Sequence, residues 1–111
     1  MKEIKAYVHA SRIADVIAGL KGSTVWGDPS HDEHNLAVYV VKGSLVPLDD
    51  AERHYSLELG EEITNEYKVE LHCHDDDVPA LVDVIRRTAG TGSAVAGWIY
   101  VMDIASAEPI R

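Results

Sequence analysis

Apolar patterning along this chain predicts an α+β fold with the element order β-α-β-β-α-β. Three observations carry that expectation. The final third, Tyr67 to Arg111, runs through an alternating segment, a helical stripe, a Thr-Gly loop and another alternating segment. The opening residues follow the same strand-then-helix pattern. Between these halves lie a β-branched segment and a long polar excursion, residues 44–66.

The elements follow in order. In residues 3–9, Ile4, Ala6 and Val8 share one strand face, and Lys5 and Tyr7 take the other. Ser11 is placed to cap a helix starting just after it. Ile13, Val16, Ile17 and Leu20 then recur at helical spacing, and Gly22 ends the helix. Thr24 to Trp26 reads as a small extra strand, and Gly27-Asp28-Pro29 as a turn. His31 to His34 continue a polar connector. LAVYVVKG, residues 36–43, is a strand apolar on both faces and closed by glycine.

Residues 44–66 are acidic and less regular, with room for a local helix or hairpin. A loop of that length in a small domain usually has a function, and a mobile or partner-ordered segment is expected there. Tyr67, Val69, Leu71 and Cys73 then alternate with Lys68, Glu70, His72 and His74. Asp75 to Asp77 supply a negative helix start, and Pro79 suits the first turn. Val78, Leu81, Val82 and Ile85 form the buried stripe of this second helix. Arg86 and Arg87 lie at its positive-favouring end, and Ala89-Gly90-Thr91-Gly92 closes it. A last strand covers residues 97–103, with Trp98, Tyr100 and Met102 opposite Ile99 and Val101.

This order is the ferredoxin-like split arrangement, in one domain spanning residues 1–111. Two helices cover only one face of its sheet. The second and last strands are apolar on both faces, so another surface is required, and a symmetric oligomer would supply it.

Composition narrows the function. The formal net charge is −9, from 19 acidic and 10 basic residues, which argues against a nucleic-acid or anionic-membrane surface. One cysteine excludes an internal disulfide. MKEIKAYVHA is not a secretory signal and no run approaches membrane-spanning length, so a cytoplasmic protein is expected. His72 and His74 share a strand face next to Asp75, but spacing fixes no third ligand, so polar strand-face or interface histidines are the stronger reading and no metal is assigned. Cys73 falls on the apolar phase and reads as a buried small hydrophobe. No complete Walker motif or Rossmann fingerprint occurs, and an enzyme is not expected. A small metal-dependent enzyme using His72 and His74 ranks lowest among the alternatives.

The stretch YKVELHCHDDDVPALVDVIRRTAGTGSAVAGWIYVMDI, residues 67–104, resembles the PII (nitrogen-regulatory PII-like) signal-transduction family. VYVVKG, residues 38–43, resembles that family's second strand, and MKEIKAYVHASRIADVIAGL its opening strand and helix. RTAGTG ahead of GWIYV, within this element order, is the most specific part. The resemblance implies a homotrimer with adenine nucleotide bound in clefts between subunits. It also implies that residues 44–66 are the T-loop, which would contact a membrane transporter, a regulated enzyme or another regulator. Inorganic-carbon, ion-transport or nitrogen regulation is the corresponding physiological setting. The candidate nucleotide-site residues are Gly43, Thr91, Gly92, Gly97 and Arg111, with Arg87 ranked below the others.

The chain also departs from the family pattern. The family's approach to the T-loop reads like GxGRQ, whereas this chain has GSLVP, residues 43–47. Tyr55 is not in the setting of a modified T-loop tyrosine. The family's TGxxGDGK becomes TGSAVAGW, residues 91–98, so the phosphate-facing lysine becomes Trp98. The terminal RxR becomes PIR, leaving Arg111. Phosphates need backbone donors or positive charge. ADP or AMP is therefore expected ahead of ATP as a small-molecule effector. The alternative is a nucleotide-independent PII-like scaffold or binding subunit.

Overall fold

A computed structural model describes residues 1–26, 34–43, 53–56 and 61–111; residues 27–33, 44–52 and 57–60 lie outside the described residues. The expected order is observed. Strand β1 (Lys2–His9) leads to helix α1 (Ile13–Lys21), then β2 (Ala37–Gly43), a short β3 (Arg53–Ser56) and a long β4 (Glu61–Cys73). Helix α2 (Val78–Ala89) and strand β5 (Trp98–Asp103) complete the chain.

The sheet order is β2-β4-β1-β5, with every pairing antiparallel. This is the topology of a ferredoxin-like β-α-β-β-α-β fold, with β3 added. Thr64 of β4 pairs with Gly43 on one side and Arg53 on the other. Strand β3 therefore flanks β4 on the side that β1 occupies farther along, where His9 opposes Glu66.

Register separates the two faces of the sheet. Ile4 opposes Leu71 and Val101, and Ala6 opposes Val69 and Ile99. These residues lie on the helix-covered face, with Ile4, Ala6, Val8, Val69, Leu71 and Cys73 all buried. From above, Val16 and Leu20 of α1 and Leu81, Val84 and Ile85 of α2 complete the core. Most residues of the apolar stripes expected at helical spacing pack here, with Ile13, Val78 and Val82 at the margin, whereas Ile17 is half-buried and outside the cluster. Val84 extends the expected stripe because α2 touches α1 as well as the sheet. A Cβ placed on Gly19 would lie 3.0 Å from Val84 Cγ1 and 2.9 Å from Thr88 Cγ2, so the helices cross closely at a glycine.

Several local expectations are corrected. Ser11 does not cap α1. The chain leaves β1 through a 3₁₀ turn, Ala10–Arg12, and the capping side chain is His9, whose Nδ1 accepts from the Ser11 amide at 3.1 Å. Thr24 to Trp26 is a turn, not a strand. Its backbone bonds locally, Ser23 N to Leu20 O at 3.1 Å and Trp26 N to Ser23 O at 3.1 Å, leaving no ladder to join. Asp75–Asp77 forms a 3₁₀ turn ahead of α2, and Pro79 sits in the first turn of that helix. Within the 44–66 excursion, Arg53–Ser56 and the start of β4 form an antiparallel pair, the hairpin alternative. The expectation of mobility for the rest of that segment falls on residues outside those described.

Candidate functional site

The loop between α2 and β5 is where the candidate residues concentrate. Helix α2 ends at Gly90, whose extended backbone turns the chain out of the helix. Gly92 has φ of 87°, the left-handed region that a side chain disfavours. The Thr91 hydroxyl lies 2.8 Å from Ser93 Oγ, and Ser93 Oγ donates to the Val95 carbonyl at 3.3 Å. The loop then enters β5 close beside β1, where Trp98 pairs with Tyr7. A Cβ on Gly97 would fall 2.1 Å from the Tyr7 carbonyl oxygen, so no side chain fits there.

An open cavity of about 290 Å³ lies between β1, the end of α2 and the loop. Ile85, Ala89, Val95, Ala96 and Ile99 make its walls largely apolar, Trp98 stands at one side, and Arg86 is its charged lining residue. Of the candidate residues, Gly97 lines this space. Thr91 and Gly92 belong to the same loop but not to the lining. Arg87 lies elsewhere, in a groove between α1 and α2, where its Nε donates to Asp83 Oδ2 at 2.9 Å. Gly43 ends β2, paired with Thr64. Arg111 is exposed at the end of the chain.

Arg86, not Arg87, is therefore the arginine at the cavity. Adjacent helical residues point about 100° apart, so only one of the pair can face any given hollow. The signal lay in the spacing: Arg86 stands four residues after Val82 and three before Ala89, both partly buried, although its own side chain is exposed. Tyr7 was missed as a wall because its alternation assigns it to the opposite sheet face. Its backbone, not its ring, meets the loop.

The open sheet face has a charged centre and aromatic flanks. Lys68 Nζ lies 3.2 Å from Glu70, and Lys5 Nζ lies 3.9 Å from both Glu70 and Glu3. Hydrogen bonding to Glu70 raises the Lys68 pKa above the ordinary lysine value. Lys68 also sits 4.5 Å over the Tyr39 ring. Tyr7 meets Tyr100 edge-on, with centroids 6.1 Å apart. Trp98, Tyr100 and Met102 are exposed along β5. Burial pushes the Cys73 thiol up to about 11, with Asp77 and Asp75 adding to it, as expected for an unreactive core cysteine. The N-terminal ammonium hydrogen-bonds Asp75 at 2.9 Å and holds its carboxyl below the usual range.

Among the described residues, no group of three or more His, Cys, Asp or Glu side chains is arranged to hold a metal ion. His34 directs both ring nitrogens at backbone carbonyls. Among the described residues, no helix is long and apolar enough to cross a membrane.

No family model matches the chain. A nitrogen regulatory protein P-II from Porphyra purpurea is similar to it, 26% identical over 111 residues that span all of this chain and 92% of that protein. An alignment of that length at that identity supports a distant, superfamily-level relationship, consistent with the ferredoxin-like topology.

Proposed function

We propose that the protein is an effector-responsive regulator of the PII-like kind. It binds an adenine nucleotide at the α2–β5 loop, in a cleft completed by a neighbouring subunit of a homotrimer. The observation that carries this reading is end-to-end similarity to a nitrogen regulatory protein, together with a cavity beside the loop that bears the resemblance. Thr91 and Gly92 would offer a hydroxyl and backbone N–H groups to phosphate, Gly97 the close backbone approach, and Arg111 a bidentate contact. Gly43 would mark where β2 hands over to the 44–66 loop. Arg87 ranks below Arg86, because Arg86 lines this cavity and Arg87 does not, although both lie within ion-pair distance of Asp83.

The apolar walls suit a base, and one lining arginine suits few phosphates. AMP or ADP is therefore favoured over ATP. Nucleotide occupancy would shift the population of loop conformers, and the loop would engage or release a partner such as a transporter or an enzyme. No bond chemistry is required.

The second reading, a nucleotide-independent scaffold, is favoured by Trp98 standing where a phosphate-facing lysine would be. Calorimetry with AMP, ADP and ATP, with and without magnesium and bicarbonate, separates the two. Saturable binding supports the regulator, and its rank order identifies the nucleotide. Silence with all three, alongside stable partner capture, supports the scaffold.

A further inference from the structure

His34 lies just ahead of β2 and is 4% exposed. Its Nδ1 is 3.0 Å from the His72 carbonyl oxygen, and its Nε2 is 3.3 Å from the Val25 carbonyl oxygen. Carbonyl oxygens only accept, and a neutral imidazole carries one N–H. A neutral ring therefore serves one of these carbonyls and turns a lone pair toward the other. The imidazolium has two N–H groups and serves both. The Trp26 indole stacks against the ring, with centroids 4.4 Å apart and planes 36° apart, and an aromatic face favours a cation. The His34 backbone adds a third tie, its carbonyl accepting from the His72 amide at 2.9 Å.

We propose that His34, in its doubly protonated form, is a proton-operated clasp that fastens the turn after α1 to strand β4. Losing one proton releases one carbonyl. The longer contact, to Val25, is the one given up, while the His72 contacts persist. The turn Ser23–Trp26 then loosens without loss of the sheet.

Among the described residues, the surrounding titratable groups are few. On β4 they are Glu70, His72 and Cys73, and on β1 Lys2 and Glu3, which oppose Cys73 and His72. Ser23 to Trp26 carries none, and Lys21 ends α1. His31, Asp32 and Glu33 precede His34 in the chain and lie outside the described residues. Among the described residues, the polar contacts of the ring are the two carbonyls. The clasp does not depend on the nucleotide reading.

The test uses the full chain labelled with nitrogen-15. Imidazole nitrogens are assigned by long-range spectra at about pH 5.5 and about pH 8.5, spanning the range in which histidine changes charge. Hydrogen exchange of the Trp26 amide is followed in parallel and corrected for its intrinsic pH dependence. The expected result is two ring protons on His34 at the acid end and one at the alkaline end. Trp26 protection should fall roughly tenfold between them, a local opening with the core intact. His34→Gln should show equal protection at both values. One ring proton at the acid end, two at both ends, or ring deprotonation without a change at Trp26 would each overturn the clasp. The wild-type spectra decide the matter even where the variant folds poorly.

Discussion

Gly97 shows how one residue can position a loop. Its missing side chain lets the backbone approach the Tyr7 carbonyl at the entry to β5, where the cavity lies. Gly97→Ala is expected to lower stability by about 1–3 kcal/mol through overpacking against rigid backbone, read as a shifted midpoint in urea melts. Cys73 supplies a second residue-scale prediction. Its thiol titrates near 11 in the folded protein against 9.0 ordinarily. The unfolded chain therefore loses this proton first as pH rises. Stability is full below the unfolded value and falls between the two. Urea melts at those two pH values should show a larger loss for the wild type than for Cys73→Val.

At the scale of elements, the two helices meet at Gly19, where Thr88 and Val84 leave no room for a longer side chain. Gly19→Leu is expected to push α1 and α2 apart and to cost about 1–3 kcal/mol, measurable by thermal melting. Strand and helix order was readable because alternation in Ile4-Ala6-Val8 and Val69-Leu71-Cys73, and the helical repeat through Val16-Leu20 and Leu81-Ile85, report burial directly. The failures were local. Ser11 has a capping residue's chemistry, but it falls inside an intervening 3₁₀ turn capped by His9, and Arg12, which makes no side-chain cap bond, takes the N-cap position of α1. Thr24 to Trp26 has a strand's composition but finds no neighbouring ladder. The pairing of β3 with β4 is a local one, and the irregular 44–66 pattern left it open between a helix and a hairpin. Of the glycines singled out in the sequence, Gly97 lines the cavity, whereas the placing of Arg86 rather than Arg87 there needed the packed orientation of α2.

At the scale of the whole molecule, the sheet presents one face to its helices, and among the described residues the other face is uncovered. Tyr100 and Met102 are exposed there beside the Lys5–Glu70–Lys68 centre. A face that mixes aromatics with paired charges suits a specific subunit contact. Light scattering of the wild type is expected to give the mass of three subunits. The double variant Tyr100→Glu, Met102→Glu should give one, with far-ultraviolet circular dichroism unchanged. A wild-type mass of one subunit would contradict the trimer.

Coupling between the α2–β5 loop and residues 44–66 is the central functional claim. It is tested most directly by hydrogen exchange across residues 44–66, with and without saturating AMP, ADP or ATP. Altered protection in that segment with at least one nucleotide is the expected result. Identical exchange in the presence of a nucleotide that calorimetry shows to be bound would contradict it.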